Sequence, residues 1–366
     1  MIPIEEIRET LVALHETPGI GRITIDRLLA ISALDGARTR REGDWRELGL
    51  TAKQAAAAVE NLGEARMEAR RRRWARTGLS YVTALDAAYP ARLRHIADAP
   101  WVLYYYGRLE LAARPSVAIV GTRLATAYGR RVAEDLASDC ARAGLTVVSG
   151  LAKGIDAAAH LGALQGPGST VAVLGSPADT PYPPENRTLY RQIAEAGLIV
   201  SETPPDIPLH PGLFPLRNRI IAGLALGVVV VEAAERSGAL ITADLAGSYD
   251  RDVFVVPGPV TSPRSRGPLL RLRQNSAKPV LDASDILSEY PAYLNGGETA
   301  AERADSDREL TPEEARVYRI LRDGPRSVDE LSAEAGLTFG LLHAVLLSLQ
   351  IKRKIHQQPG SVYNAL

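Results

Sequence analysis

The chain has 366 residues, with 43 Lys+Arg against 43 Asp+Glu and a single cysteine, Cys140. A net charge of zero excludes a polybasic or polyacidic mode of action for the chain as a whole, so a charged partner must be met by local clusters. One cysteine excludes an internal disulfide and fits a reducing compartment; the charged start MIPIEEIRETLVALHE and the lack of a bilayer-length apolar run predict a soluble cytoplasmic protein.

Residues 1–77 read as helices. IEEIRETLVALHE is amphipathic, TPGIG interrupts it, and RITIDRLLAIS resumes a helical pattern. Helix, PGIG, helix is the look of a helix-hairpin-helix or SAM-like module, in which the Gly19–Gly21 amides meet a phosphate without reading sequence. The plainer reading is a helical corner broken by Pro and Gly. Farther along, Arg70 to Arg73 cover all sides of one helix, either as a solvated face or as a phosphate-attracting patch. In residues 78–115 the YVT and WVLYYYG runs read as strands, and the three tyrosines as mainly structural.

Residues 116–160 form one β-α-β unit. SVAIV is a short β-branched run, as suits a strand buried on both faces. Gly121-Thr122-Arg123 ends it, and residues 127–143 follow with Ala127, Val132, Leu136 and Cys140 on one helical face. LTVVS is the next strand. This topology puts the Gly-Thr-Arg loop at the carboxyl edge of a parallel sheet, where α/β folds bind ligands. Glycine lets backbone N–H groups approach an anion, the helix adds its positive end, and Arg forks onto phosphate. Neither G-x-G-x-x-G nor G-x-x-x-x-G-K-[ST] is present, and the second strand ends in Ser149-Gly150 rather than an acid, which argues against NAD or ATP in the usual mode.

The alternation continues through STVAVLG (169–175), LIVSE (198–202), GVVVVEA (227–233) and VFVVPG (253–258), of which GVVVVEA is the most hydrophobic and is expected to be central. Before GVVVVEA, Leu216-Arg217-Asn218-Arg219 opens a helix. Arginines at a helix start oppose the dipole, so either a bound anion or a nearby acid such as Glu202 neutralises them. Ser237 caps the helix after GVVVVEA, with Gly238 leaving its N–H groups open. The last loop carries Arg264, Arg266, Arg271 and Arg273. All these loops converge on one edge, which is therefore predicted to be basic: Arg123, Lys153, Arg217, Arg219 and the Arg264–Arg273 group against Asp156, Asp179, Glu185 and Glu202.

Residues 291–311 are polar, acidic and aperiodic, as in a linker. Residues 312–366 read as three helices and a two-stranded wing, the order of a winged helix. Its third helix, TFGLLHAVLLSLQ, lacks Lys and Arg and suits packing or a protein partner better than base readout.

In order and spacing, VAIVGTR, SGLAKGIDAAAH, YPPEN, SETPP, FPLRNRIIAGL, VVVEAAERSGALITA and VFVVPG resemble the DNA-processing protein A (DprA/Smf) family over residues 80–290. The resemblance implies a Rossmann-like, mostly parallel sheet with helices on both faces (78–290), between a SAM-like helical domain (1–77) and a winged-helix domain (312–366). It further implies a cytoplasmic homodimer that binds single-stranded DNA, with duplex DNA an open possibility, and loads RecA in natural transformation. Neither a cofactor nor a catalytic reaction is implied. Carried onto this chain, Gly121, Thr122 and Arg123 hold DNA phosphate; Lys153, Arg217, Asn218 and Arg219 line a basic pocket; Ser237 and Gly238 match a further loop of the family pattern. From the residues themselves, Phe214 is a candidate for stacking on bases, and Arg264 and Arg266 extend the basic edge. Two departures stand out: Gly175-Ser176 replaces the family's double glycine, and Pro268-Leu269-Leu270 lacks its Asn. The alternative is a nucleotide-binding hydrolase of the phosphoribohydrolase type using Asp156, Asp179, Glu232 and His160. Against it, the family's P-G-G-x-G-T loop is replaced here by ERSGALITA.

Overall fold

The computed structural model describes residues 4–294, 310–322, 324–351, 354–358 and 362–365. The chain divides after Leu294 into two compact units. The first is built on a nine-stranded sheet: β1 (Ser80–Thr83), β2 (Val102–Gly107), β3 (Ser116–Val120), β4 (Thr146–Ser149), β5 (Thr170–Leu174), β6 (Leu198–Ser201), β7 (Gly227–Val230), β8 (Asp252–Val255) and β9 (Lys278–Pro279). Their order is β1-β2-β6-β5-β4-β3-β7-β8-β9. From β3 to β9 the strands run parallel, while β2 pairs antiparallel with both β1 and β6. The chain winds outward from β3 in both directions, with β4 on one side of it and β7 on the other, so the switch point of this doubly wound sheet lies between the loops after β3 and β7.

β-branched runs make this sheet because both of its faces are covered. Ala118 and Val120 face one apolar cluster with Ile220, Ile221 and Leu240, whereas Val117 and Ile119 face another with Leu136, Ala137 and Cys140. The GVVVV strand β7 lies between β3 and β8, inside the sheet but off its middle, which β4 occupies.

The N-terminal helices share a core with the sheet: Leu11, Leu14, Ile25, Trp45 and Leu62 pack in one cluster with Tyr104, Leu174 and Ile199. The basic run of the helix Glu64–Thr77 is neutralised from within the fold. Arg70 pairs with Glu16 at 2.6 Å, Arg71 with Glu9 at 2.7 Å, Arg72 with Glu68 at 2.9 Å, and Arg73 with Asp179 at 3.0 Å and with Asp206. It is therefore neither a bare solvated face nor an open phosphate patch.

In the second unit the helices Pro312–Arg322, Val328–Ala335 and Phe339–Ile351 pack with a sheet of β10 (Arg326–Ser327), β11 (Ile355–Gln358) and β12 (Val362–Ala365), the predicted winged helix. Phe339, Leu341 and Leu347 of its third helix are exposed rather than packed. Of the expected linker 291–311, Pro291–Leu294 forms a short helix, and residues 295–309 lie outside the described residues. Among the described residues no single helix is long and apolar enough to cross a membrane.

Candidate nucleic-acid interface

The segment SGLAKGIDAAAH after β4 is the scaffold of the site, and nearly every residue in it has a structural reason. Ser149 donates its hydroxyl to Ile119 O at 2.6 Å, tying β4 to β3. Gly150 has no room for a side chain: a Cβ there would lie 2.4 Å from the Arg217 guanidinium. Leu151 takes a left-handed φ of 56° and is buried. Its N–H donates to His160 Nε2 at 3.2 Å and its carbonyl accepts from Asn186 Nδ2 at 2.9 Å, which holds the strained residue in place. Asp156, buried, accepts the N–H groups of Gly150 and Ala152. Burial pushes its carboxyl above the ordinary range, while Arg217 and these N–H groups oppose the rise.

Gly154 is where the β3 and β4 loops touch. Its φ is 82°, and a Cβ would lie 2.4 Å from Thr122 O and 2.8 Å from Arg123 O. Gly154→Ala therefore combines backbone strain with a collision against main chain, and is expected to lower unfolding free energy by about 2–4 kcal/mol. Chemical denaturation of wild type and variant checks this; equal midpoints would show that the two loops do not meet as described.

The β3 loop departs from the expectation at Thr122, whose N–H donates to the main-chain oxygen of Glu232 at 2.7 Å and so is not free for phosphate. Thr122 Oγ1 accepts from the Leu124 N–H at 3.3 Å, and Thr122 O accepts from the Ile155 N–H at 3.3 Å. Gly121 is glycine because Ile155 fills the adjacent space, with Cγ1 2.5 Å from where a Cβ would stand. The charged group this loop offers to solvent is Arg123. Its guanidinium lies 5.5 Å from the centre of the Phe214 ring, and among the described residues it has no carboxylate partner.

Arg123 shares a cavity of about 60 Å3 with Lys153, Tyr182, Phe214 and Arg217. Tyr182 and Phe214 pack with ring centres 5.2 Å apart. Tyr182 was not singled out from the sequence as a site residue, although the YPPEN motif holds it. Lys153 Nζ lies 2.5 Å from Glu185 Oε1, and both side chains are about half exposed. Such a surface pair contributes little, so a phosphate can take its place. Arg217 sits at the floor, donating through Nη1 to Gly150 O at 2.6 Å and to Val173 O. Burial lowers its pKa to about 10, which leaves it charged at neutral pH.

The helix carrying Arg217 begins at Leu213, earlier than the LRNR cluster, so these side chains leave from its second turn. Arg219 points away from the cavity. Its Nη2 contacts both oxygens of Glu202 at 2.7 Å, and its Nε lies 3.3 Å from Asp98. The acid alternative thus describes Arg219, and a bound anion is not required there. Asn218 accepts from Arg217 Nε at 3.2 Å and donates to Gly238 O at 3.3 Å, linking the cavity to the loop after β7.

The remaining predicted residues lie along the same edge but outside this cavity. Ser237 caps the helix Gly238–Ser248 by accepting the Ala239 N–H at 3.3 Å, and Gly238 is open to solvent. Arg264 Nε donates to Leu124 O at 2.6 Å, which fastens the β8 loop to the β3 loop. Arg266 is exposed, 4.0 Å from Glu235, and Arg271 pairs with Asp244 at 2.5 Å.

The acids proposed for hydrolysis are all engaged elsewhere. Glu232 accepts from Thr126 N at 2.9 Å and from Thr126 Oγ1 at 2.6 Å, Asp179 holds Arg73, and Asp156 caps the β4 loop. His160 is buried and bonded at both ring nitrogens. No group of three or more His, Cys, Asp or Glu able to hold a metal occurs among the described residues.

Comparison with known proteins places this arrangement. The family model for DNA recombination-mediator protein A matches residues 80–291, and that for the DprA winged helix domain matches residues 301–361. Protein Smf of Synechocystis sp. is 36% identical over 316 residues, covering 77% of this chain and 79% of that protein. DNA processing protein DprA of Streptococcus pneumoniae is 44% identical over 206 residues, covering 56% of this chain and 72% of that protein. Among solved structures, DprA of Streptococcus pneumoniae aligns with a TM-score of 0.66 at 35% identity, over 77% of this chain and 97% of that one. DNA processing protein A of Helicobacter pylori, described for its single-stranded DNA binding mode, aligns with a TM-score of 0.53 at 30% identity, over 58% of this chain and 96% of that one. With both of its folded units matched in sequence and the sheet matched in structure, the chain belongs to the DNA recombination-mediator protein A (DprA/Smf) family of DNA-processing proteins.

Proposed function

We propose that this protein binds single-stranded DNA at the carboxyl edge of its sheet. As a cytoplasmic homodimer it would shield incoming DNA and pass it to RecA during natural transformation. The observation that carries the strand-binding reading is the cavity in which Arg123, Lys153 and Arg217 surround the Phe214–Tyr182 pair. At about 60 Å3 it has room for the oxygens of one phosphate but not for a base. Arg123 and Lys153 supply the charge, and contact with a phosphate rather than a base edge makes binding independent of sequence. The homodimer and RecA parts rest on family membership. A hydrolase reading draws no support from the site, because its acids and histidine are bonded within the protein.

The test is a titration of the full-length protein with a fluorescent oligothymidylate at rising sodium chloride. Two phosphate-facing cations, Arg123 and Lys153, predict that log K falls with log salt at a slope of about −1.4, since single strands release about 0.7 counterion per contact. A flat salt plot, or no binding at low salt, sinks the proposal.

A further inference from the structure

A second, larger cavity of about 300 Å3 opens next to the phosphate cavity, and Arg217 lines both. One wall is the helical hairpin turn Pro18–Gly21; the other is the proline-rich loop after β6 and the start of the helix Leu213–Leu224. We propose that this cavity receives an unpaired nucleobase of the strand whose phosphate is held at Arg123. This deepens the single-strand reading above and rests on it.

The size fits: 300 Å3 is at the lower end of cavities that enclose a small organic ligand, about 300–1,000 Å3, and five times the neighbouring cavity's volume. The surface fits as well. Ile20, Trp101, Ile207, Leu213 and Leu216 supply apolar and aromatic area, with Leu216 exposed at the mouth. The walls are preformed. Gln54 Nε2 donates to Gly19 O at 2.6 Å and fixes the hairpin turn, and Trp101 Nε1 donates to Asp26 at 2.6 Å and fixes the indole. The polar side chains present already have protein partners: Thr17 donates to Ala13 O, Thr203 to Gly175 O, Arg22 binds Asp26, and Glu202 holds Arg219. A site whose donors and acceptors are satisfied internally takes a base by stacking and burial rather than by edge readout, so it accepts unpaired bases without preference. The hairpin thereby acts through the cavity it closes, a role that differs from amide contact with phosphate.

The test compares an oligothymidylate with an abasic oligomer of equal length. The thymidylate is expected to quench the fluorescence of the full-length protein, an effect absent with the abasic oligomer and absent in Trp101→Phe. Filling the cavity with Ile207→Trp is expected to weaken thymidylate binding about tenfold, read by anisotropy of a labelled oligomer, and to leave abasic binding and the salt slope unchanged. Equal quenching by both oligomers, or equal loss of affinity for both, overturns the cavity proposal while leaving strand binding in place. Failure of both oligomers to bind the wild type overturns the strand-binding reading itself, and the base cavity with it. Should Ile207→Trp not fold, the quench of the wild type decides alone.

Discussion

Arg123→Ala is expected to weaken single-stranded DNA binding by about tenfold to a hundredfold and to leave thermal stability unchanged, whereas Arg217→Met, a few ångströms away, is expected to cost the fold about 3–5 kcal/mol. The two arginines share a cavity but do different things. Arg123 is exposed and rests on the Phe214 face without a carboxylate partner among the described residues, so its removal deletes one charge-assisted contact to phosphate and little else. The salt slope should flatten by about 0.7. Arg217 is buried, its guanidinium engaged by Gly150 O and Val173 O and electrostatically coupled to the buried Asp156. Methionine keeps much of the volume but leaves Asp156 without that cation and two carbonyls without a donor. Urea unfolding and oligonucleotide titration of both variants separate the roles. Unchanged affinity in Arg123→Ala, or unchanged stability in Arg217→Met, would reverse the assignment.

This division was only half legible in the sequence. The parallel strands and the edge where their loops gather follow from short β-branched runs alternating with helices, because burial of both sheet faces leaves a strong local signature. Arg123, Lys153, Phe214 and Arg217 come together for the same reason: each belongs to a loop or helix start at that edge. What the local pattern lacks is the distant partner of a long side chain. Arg219 looked like an anion ligand until Asp98, from the segment before β2, joined Glu202 beside it. Arg70 to Arg73 read as either a solvated face or a phosphate-attracting patch, yet Glu9, Glu16, Asp179 and Asp206 reach them from three other parts of the chain. Gly121 and Thr122 carry the composition of a phosphate loop, but the Thr122 amide is taken by the main-chain carbonyl of Glu232, and Gly121 is glycine because Ile155 packs beside it. In each case a residue type fits two chemistries, and only the tertiary neighbour decides between them.

His160 shows the same ambiguity in a form that pH can resolve. As a catalytic base it would titrate near neutrality; where it lies, it cannot take a second proton without breaking the fold. The Leu151 N–H points at Nε2 from 3.2 Å, so Nε2 must be the unprotonated nitrogen and Nδ1 carries the hydrogen toward Thr170 Oγ1 at 2.7 Å. The threonine hydroxyl in turn donates to Val147 O at 2.7 Å. Burial pushes the imidazole from 6.5 down to about 3, with Arg217 adding to the shift. Between these values the unfolded chain binds a proton that the folded chain refuses. The stability contributed by His160 is therefore complete above about pH 6.5 and is lost as pH falls toward 3, at up to about 1.4 kcal/mol per pH unit. His15, at the wall of the larger cavity, is pushed the same way, to about 4, and forms a background common to wild type and a His160 variant. His160→Gln is expected to be less stable than wild type at pH 7, because the Leu151–Thr170 bridge is imperfectly remade. Its deficit should then shrink by about 1.4 kcal/mol for each unit of acidification below 6. Urea unfolding at a series of pH values reads this directly; a deficit that stays constant from pH 7 to pH 4.5 would mean that His160 is free to ionise in the folded protein, and a role in proton transfer would have to be reopened.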